Sequence, residues 1–236
     1  PLTLADWDVR QGNIDLVIQW VGTSTKLMNQ LEPQHSFAGI AGPLGRPSVI
    51  ERYDDDRRVV FVAGGVGLPP VLPILKEHLE LGNQTVLISG FRNLTQAFWH
   101  EPGQRLDRLQ SDFPNLEVIY TSDDGSFGLH GLVTQPLETM LKQANILGPG
   151  IGEVVAIGPP LMMRAVSELT RPFEVNTIAS LNSVMIDATG MCGACMVPIH
   201  KEDQLLRKHA CVDGPEFDAH SIDWEKLLPR FKKFIL

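Results

Sequence analysis

Along residues 57–178 short uninterrupted apolar runs alternate with longer stretches in which apolar residues return every three or four positions. The first pattern suits strands buried on both faces of a parallel sheet, and the second suits helices covering such a sheet. Val59-Val60-Phe61-Val62 is the first run; Ala63-Gly64-Gly65-Val66-Gly67 follows it, and residues 69–81 carry the helical period. The unit repeats, with strands expected over residues 85–89, 116–121, 154–157 and 174–178. Helices are expected near residues 95–100 and over 135–144 and 161–170. Strands alternating with helices imply an open parallel sheet covered on both sides.

Upstream, residues 13–21 (NIDLVIQWV) alternate and are rich in β-branched side chains, which predicts a strand. Gly22-Thr23-Ser24-Thr25 then opens a helical pattern through Leu27, Met28 and Leu31, stopped by Pro33, and residues 41–48 (AGPLGRPS) are loop chemistry. After Leu181 the periodicity dissolves into short segments around the cysteines, with a final helix expected over residues 222–231. This tail has few large apolar residues, so packing alone is expected to hold it poorly and a metal cluster to supply the cross-link.

Composition narrows the classes. At 236 residues, 43% hydrophobic and 20% charged, the chain has the ordinary mixture of a soluble globular protein. No apolar stretch approaches the roughly 18 residues of a membrane span. PLTLADWD lacks a basic region followed by an apolar one, so the expected location is the cytoplasm. A net charge of −8 argues against a nucleic-acid surface, and the basic run Arg230–Lys233 reads as a solvated helix face.

The three cysteines lead the chemistry. Cys192 and Cys195 form C-x2-C and Cys211 follows at a loop-closing distance. In a reducing compartment that points to metal rather than to disulfides. The plant-type [2Fe–2S] spacing C-x4-C-x2-C, followed by a distant cysteine, places these three in its last positions and Asp187 in its first. A carboxylate can bind iron, as a harder ligand than thiolate, and a surface carboxylate is the plain alternative for Asp187. Gly190 and Gly193 suit a loop wrapped around a cluster. Two alternatives stay open: a tetrahedral zinc site completed by His200 or His209, and buried cysteines with no ligand.

AGGVGLPP lies between a buried strand and a helix, where backbone can approach a pyrophosphate and the helix start favours its charge. It departs from G-x-G-x-x-G, and a simple tight turn is the plain alternative. A second element, Gly158-Pro159-Pro160, closes a later strand on the same sheet edge, where open α/β folds bind ligands. Thr23, Ser24 and Thr25 stand at a helix start, as caps or as a second phosphate cradle.

These elements together resemble the ferredoxin–NADP reductase superfamily. Within it they resemble the branch holding the electron-transfer subunits of dihydroorotate dehydrogenase and the small subunits of NADH-dependent ferredoxin:NADP oxidoreductases. The resemblance covers nearly the whole chain and rests on PLTLAD, QWVGTSTKL, AGPLG, AGGVGLPP, AIGPPLMM, and above all DATGMCGACM with CVDGPEFDAHSIDW. It implies an α/β plus β architecture: a flavin-binding antiparallel β-barrel over residues 1–52, an NAD(P)-binding parallel-sheet domain over 53–180 and a [2Fe–2S] tail over 181–236. By the same resemblance Pro1, Leu2 and Thr3 contact FAD, Val17, Ile18 and Gln19 line it, and Ser24 and Thr25 receive its pyrophosphate. Gly64, Gly65 and Gly67, with Gly158 and Pro159, would face the nicotinamide nucleotide, NAD(H) or NADP(H), and Asp187, Cys192, Cys195 and Cys211 would bind [2Fe–2S]. The flavin-motif arginine of relatives would fall before Pro1, and a full barrel needs roughly twice the residues available, so the barrel is expected to be N-terminally incomplete.

The implied mechanism is a relay from reduced nicotinamide through flavin and cluster to a larger flavin or iron–sulfur catalytic subunit, with ferredoxin a further candidate partner. The alternatives are a dihydroorotate dehydrogenase electron-transfer subunit, disfavoured by an aspartate where that subunit would carry cysteine, and a zinc-stabilised nucleotide-binding regulatory module. The choice between NADH and NADPH is open, with Arg92 beyond the second strand either a partner for a 2′-phosphate or a solvated loop residue.

Overall fold

The structure is a computed structural model describing residues 2–53 and 57–232, so the flavin contact expected at Pro1 lies outside the described residues. The chain opens with an antiparallel hairpin of Leu4–Asp8 (β1) and Asn13–Leu16 (β2). Its turn is locally made: an Asp8 carboxylate oxygen accepts the N–H groups of Arg10 and Gln11 at 2.8 and 3.0 Å, and Gly12 takes a φ of 69°. The strand expected over residues 13–21 ends at Leu16. Strand formation needs a neighbour to take up backbone donors and acceptors, and β1 reaches no further. Thr23–Met28 (α1) follows, six residues held at their start by Thr25 Oγ1, which accepts the Gly22 N–H at 3.0 Å.

The remaining elements build around one sheet. They are Arg58–Gly64 (β3), Leu68–Glu80 (α2), Gln84–Phe91 (β4), Arg105–Asp112 (α3), Leu116–Ser122 (β5), Leu129–His130 (β6), Thr134–Leu147 (α4), Ile151–Ile157 (β7), Pro160–Thr170 (α5) and Asn176–Ser180 (β8). The tail adds Met196–Lys201 (β9), Gln204–His209 (β10), Ala210–Asp213 (α6), Glu216–Asp218 (β11) and Trp224–Lys232 (α7). The sheet order is β11-β8-β7-β3-β4-β5-β6, parallel throughout except for β11 on β8. Alternation along β3 makes two cores: Val59, Phe61 and Ala63 pack with α2 and α3, and Val60 and Val62 pack with α4, α5 and the tail.

The helix expected near residues 95–100 is a single 3-10 turn, Leu94–Gln96, closed by the Asn93 side chain accepting the Gln96 N–H at 3.1 Å. The helix of that crossover is α3. The tail also departs from expectation. It contains a β9–β10 hairpin, and β11 completes the main sheet. Val197, Ile222, Trp224 and Leu227 are buried in the same core as Val60 and Val62. Packing therefore does hold the tail, because it borrows the face of a larger sheet instead of forming a core alone.

Candidate functional site

The two glycine turns meet at the C-terminal edge of the sheet. A Cβ on Gly67 would lie 2.0 Å from the Ile157 carbonyl oxygen, and one on Gly64 would meet Met162 Sδ at 2.6 Å and Pro159 Cδ at 2.8 Å. These glycines let the β3–α2 turn press against the β7–α5 turn. Gly65 differs: its φ is 52° and a Cβ there would meet nothing within 4 Å, so its surface stays open to a ligand. Pro69 and Pro70 carry no N–H and the Leu68 N–H bonds to the Gly65 carbonyl, which leaves the backbone donors of this turn to residues 65–67.

A cleft of about 1700 Å³ runs past these turns. That exceeds the roughly 300–1,000 Å³ of a single small-ligand site, so it has room for more than one. Leu2, Thr3, Ile18 and Gln19 line it together with Gly64, Gly65, Gly67, Gly158 and Pro159. Val17, Ser24 and Thr25 are not among its lining residues; Thr25 is occupied in capping α1. Asp187, Ala188 and Cys211 line the same cleft. Sequence reasoning missed Asp123, which lines the cleft beside Arg92 and whose N–H bonds to the Phe91 carbonyl at 3.0 Å. The signal was its place at the end of the third parallel strand.

The loop Ala41–Ser48 crosses from the cleft to the cysteine segment. Arg46 N–H donates to the Gly214 carbonyl at 2.7 Å, its Nε to the Val212 carbonyl at 3.2 Å, and Ser48 Oγ to Glu216 at 2.5 Å. Cys195 and Cys211 are buried and unjoined, with sulfurs 3.2 Å apart, whereas Cys192 is exposed. Burial pushes the Cys211 thiol pKa up, and the adjacent Cys195 adds to the rise. A pair so buried stays protonated unless a cation compensates the thiolates, and a metal centre would supply one. Asp187 Oδ1 accepts the Thr189 N–H at 2.8 Å and Oδ2 the Cys192 N–H at 2.9 Å, and these bonds hold its carboxyl below the usual range. Ala188, Gly190 and Gly193 have φ of 61°, 90° and 65°, so the loop turns through left-handed conformations at three places.

Soft sulfur donors on a tightly turned loop fit an iron–sulfur cluster. Of the two histidines the zinc alternative called on, His209 lies against this loop, its Nε2 3.7 Å from where a Cβ on Gly193 would stand. His200 is turned to Asp223 instead, at 3.1 Å. The basic run is not a plain solvated face either, since the half-buried Arg230 donates to the Ala194 carbonyl at 3.0 Å.

Comparison with known proteins agrees with this geometry. Residues 182–223 match the iron–sulfur cluster binding domain of dihydroorotate dehydrogenase B, and residues 61–168 match an oxidoreductase NAD-binding domain. A Thermotoga maritima protein described as a dihydroorotate dehydrogenase B (NAD(+)) electron transfer subunit homolog is 33% identical over 235 residues, spanning 99% of this chain and 76% of its own. An uncharacterized Clostridium beijerinckii protein is 37% identical over 234 residues, 98% of this chain and 74% of that one. A chain from the structure of an NADH-dependent reduced ferredoxin–NADP oxidoreductase, studied for flavin-based electron bifurcation, superposes with a TM-score of 0.82 at 34% identity, over 99% of this chain and 77% of the other. A parallel-sheet nucleotide domain, an antiparallel flavin-side hairpin and a C-terminal cluster loop are thus joined in one chain, which belongs to the family of dihydroorotate dehydrogenase B electron-transfer subunits and their homologues, on the ferredoxin–NADP reductase fold.

Proposed function

We propose that this chain passes electrons between NADH, FAD and a [2Fe–2S] cluster, exchanging them with a larger catalytic subunit. One observation carries the reading: a single cleft is lined by the Gly65 turn, by the flavin-side residues Thr3 and Gln19, and by Asp187 and Cys211 of the cluster loop. When bound, FAD supplies the conversion between electron pairs and single electrons, and the cluster supplies one-electron transfer. The protein contributes position. The 65–67 turn receives phosphates, the hairpin and the Ala41–Ser48 loop flank the flavin, and Asp187, Cys192, Cys195 and Cys211 are the proposed cluster ligands.

Asp123 supports NADH as the nucleotide, because a carboxylate beside the adenosine ribose accepts from its hydroxyls and repels a 2′-phosphate. The division into residues 1–52, 53–180 and 181–236 remains part of the proposal, with β11 tying the last two together. No helix among the described residues is long and apolar enough to cross a membrane. Three free cysteines support a reducing, cytoplasmic setting.

The test is an anaerobic titration of the protein with NADH and then NADPH, followed by visible absorbance and low-temperature EPR. Flavin bleaching and then the signal of one reduced [2Fe–2S] centre are expected, with NADH effective at lower concentration. A colourless, EPR-silent protein containing zinc would overturn the reading.

A further inference from the structure

Two arginines, distant in sequence, grip the backbone on either side of the buried cysteine pair. Arg230, on α7, donates from its guanidinium to the carbonyl of Ala194, the residue before Cys195, at 3.0 Å. Arg46, on the Ala41–Ser48 loop, donates through Nε to the carbonyl of Val212, the residue after Cys211, at 3.2 Å. The sulfurs of these two cysteines lie 3.2 Å apart.

We infer that Arg46 and Arg230 are positioning residues that clamp the Cys195–Cys211 pair and raise the reduction potential of the centre it holds. The inference rests on the iron–sulfur reading above. Four anionic ligands leave an oxidised cluster negatively charged, and reduction adds a further negative charge. A fixed cation nearby therefore favours the reduced form, and cluster potential follows net charge and hydrogen bonding around the ligands. The clamp also acts through the peptides. Carbonyl and N–H point oppositely across a trans peptide, so anchoring the Ala194 carbonyl fixes the way the Cys195 N–H faces. Anchoring the Val212 carbonyl does the same for Asp213.

The two arginines are unequal. Arg230 is half-buried, and among the described residues no carboxylate pairs with it, so its charge is screened less. The Arg46 side chain is 67% exposed and lies 3.9 Å from Asp213, which also holds Lys208 at 3.0 Å, so solvent and the carboxylate absorb much of its effect. Arg46 contributes a second service. Its own N–H bonds to Gly214, so the loop lining the cleft is tied to the segment carrying Cys211.

The experiment is an EPR-monitored redox titration of the cluster in the full-length protein carrying Arg230→Gln, Arg230→Lys, Arg46→Gln or Arg46→Lys, with circular dichroism as the folding control. Arg230→Gln is expected to shift the midpoint downward most and Arg46→Gln less. Each lysine variant should recover most of the shift, since charge is kept while the planar fork is lost. Potentials of both glutamine variants equal to that of the unsubstituted protein would overturn the inference, as would lysine variants falling as far as the glutamine ones. If Arg230→Gln fails to retain a cluster, Arg46→Gln decides: its gap from the unsubstituted protein should shrink as salt is raised, and an absent gap at low salt overturns the clamp. An unsubstituted protein without a reduced [2Fe–2S] signal would instead defeat the electron-transfer reading itself.

Discussion

Glu153 near the start of β7 is only 6% exposed, and its hydrogen-bond partners are neutral: Tyr53 Oη donates at 3.2 Å and Asn176 Nδ2 at 3.3 Å. Burial raises its pKa from 4.5 to about 7, against the hydrogen bond from Tyr53 and with added repulsion from Glu216 and Glu51. The unfolded chain releases this proton near 4.5, so between 4.5 and about 7 the folded chain holds a proton that the unfolded chain has lost. The stability due to Glu153 is therefore complete below 4.5 and disappears as pH rises through about 7. At roughly 1.36 kcal/mol per pH unit the rise corresponds to about 3 kcal/mol, and partial solvation near the strand end brings it to about 2–3 kcal/mol. Glu153→Gln keeps the shape and accepts both hydrogen bonds but cannot ionise. Relative to the unsubstituted protein it should gain about 2–3 kcal/mol between pH 4.5 and pH 8.5, measured by urea unfolding at each pH. His78, whose pKa burial lowers to about 4, loses stability on the acid side between 6.5 and 4. It is common to both proteins, so it drops out of the difference. A stability difference that is the same at pH 4.5 and 8.5 would refute the reasoning.

Gly67→Ala should destabilise by about 3 kcal/mol or more and weaken NADH binding, because its Cβ collides with the Ile157 carbonyl, a backbone atom that cannot swing away. Gly65→Ala should cost only about 1–2 kcal/mol, from its positive φ alone; thermal unfolding and fluorescence titration of NADH compare the two, and equal losses would contradict the geometry. Asp123→Ser should narrow the preference for NADH over NADPH, read as the ratio of dissociation constants, and an unchanged ratio would remove Asp123 from the nucleotide site. Cys211→Ser should abolish the [2Fe–2S] EPR signal while leaving slow hydrogen exchange at Val197 and Leu227, since the tail is held by the shared core; rapid exchange there would show that the cluster, not packing, holds the tail.

Much of the central sheet was legible because its signals are local. A buried strand such as residues 59–62 is an apolar run, the glycine turn after it is a short motif, and C-x2-C is read by spacing alone. The eight-residue α3 escaped because only Leu106 and Leu109 mark its buried face, too few to establish a period. The β9–β10 hairpin escaped because it turns on Glu202-Asp203, with Glu202 at φ 54°, where an Asn-Gly pair would have announced it. Propensity along residues 17–21 favoured a strand, yet those residues have no pairing partner among the described residues. The sequence by itself determined the strand–helix alternation, the phosphate-type turns and the set of sulfur donors. Only the tertiary structure decided that the tail shares the core of the nucleotide domain, that Gly67 is pressed against the Ile157 carbonyl while Gly65 has open space beside it, and that Arg46 reaches a carbonyl 166 residues away. Such contacts are chosen by the packing of a whole sheet, and no local preference of the residues that make them announces them.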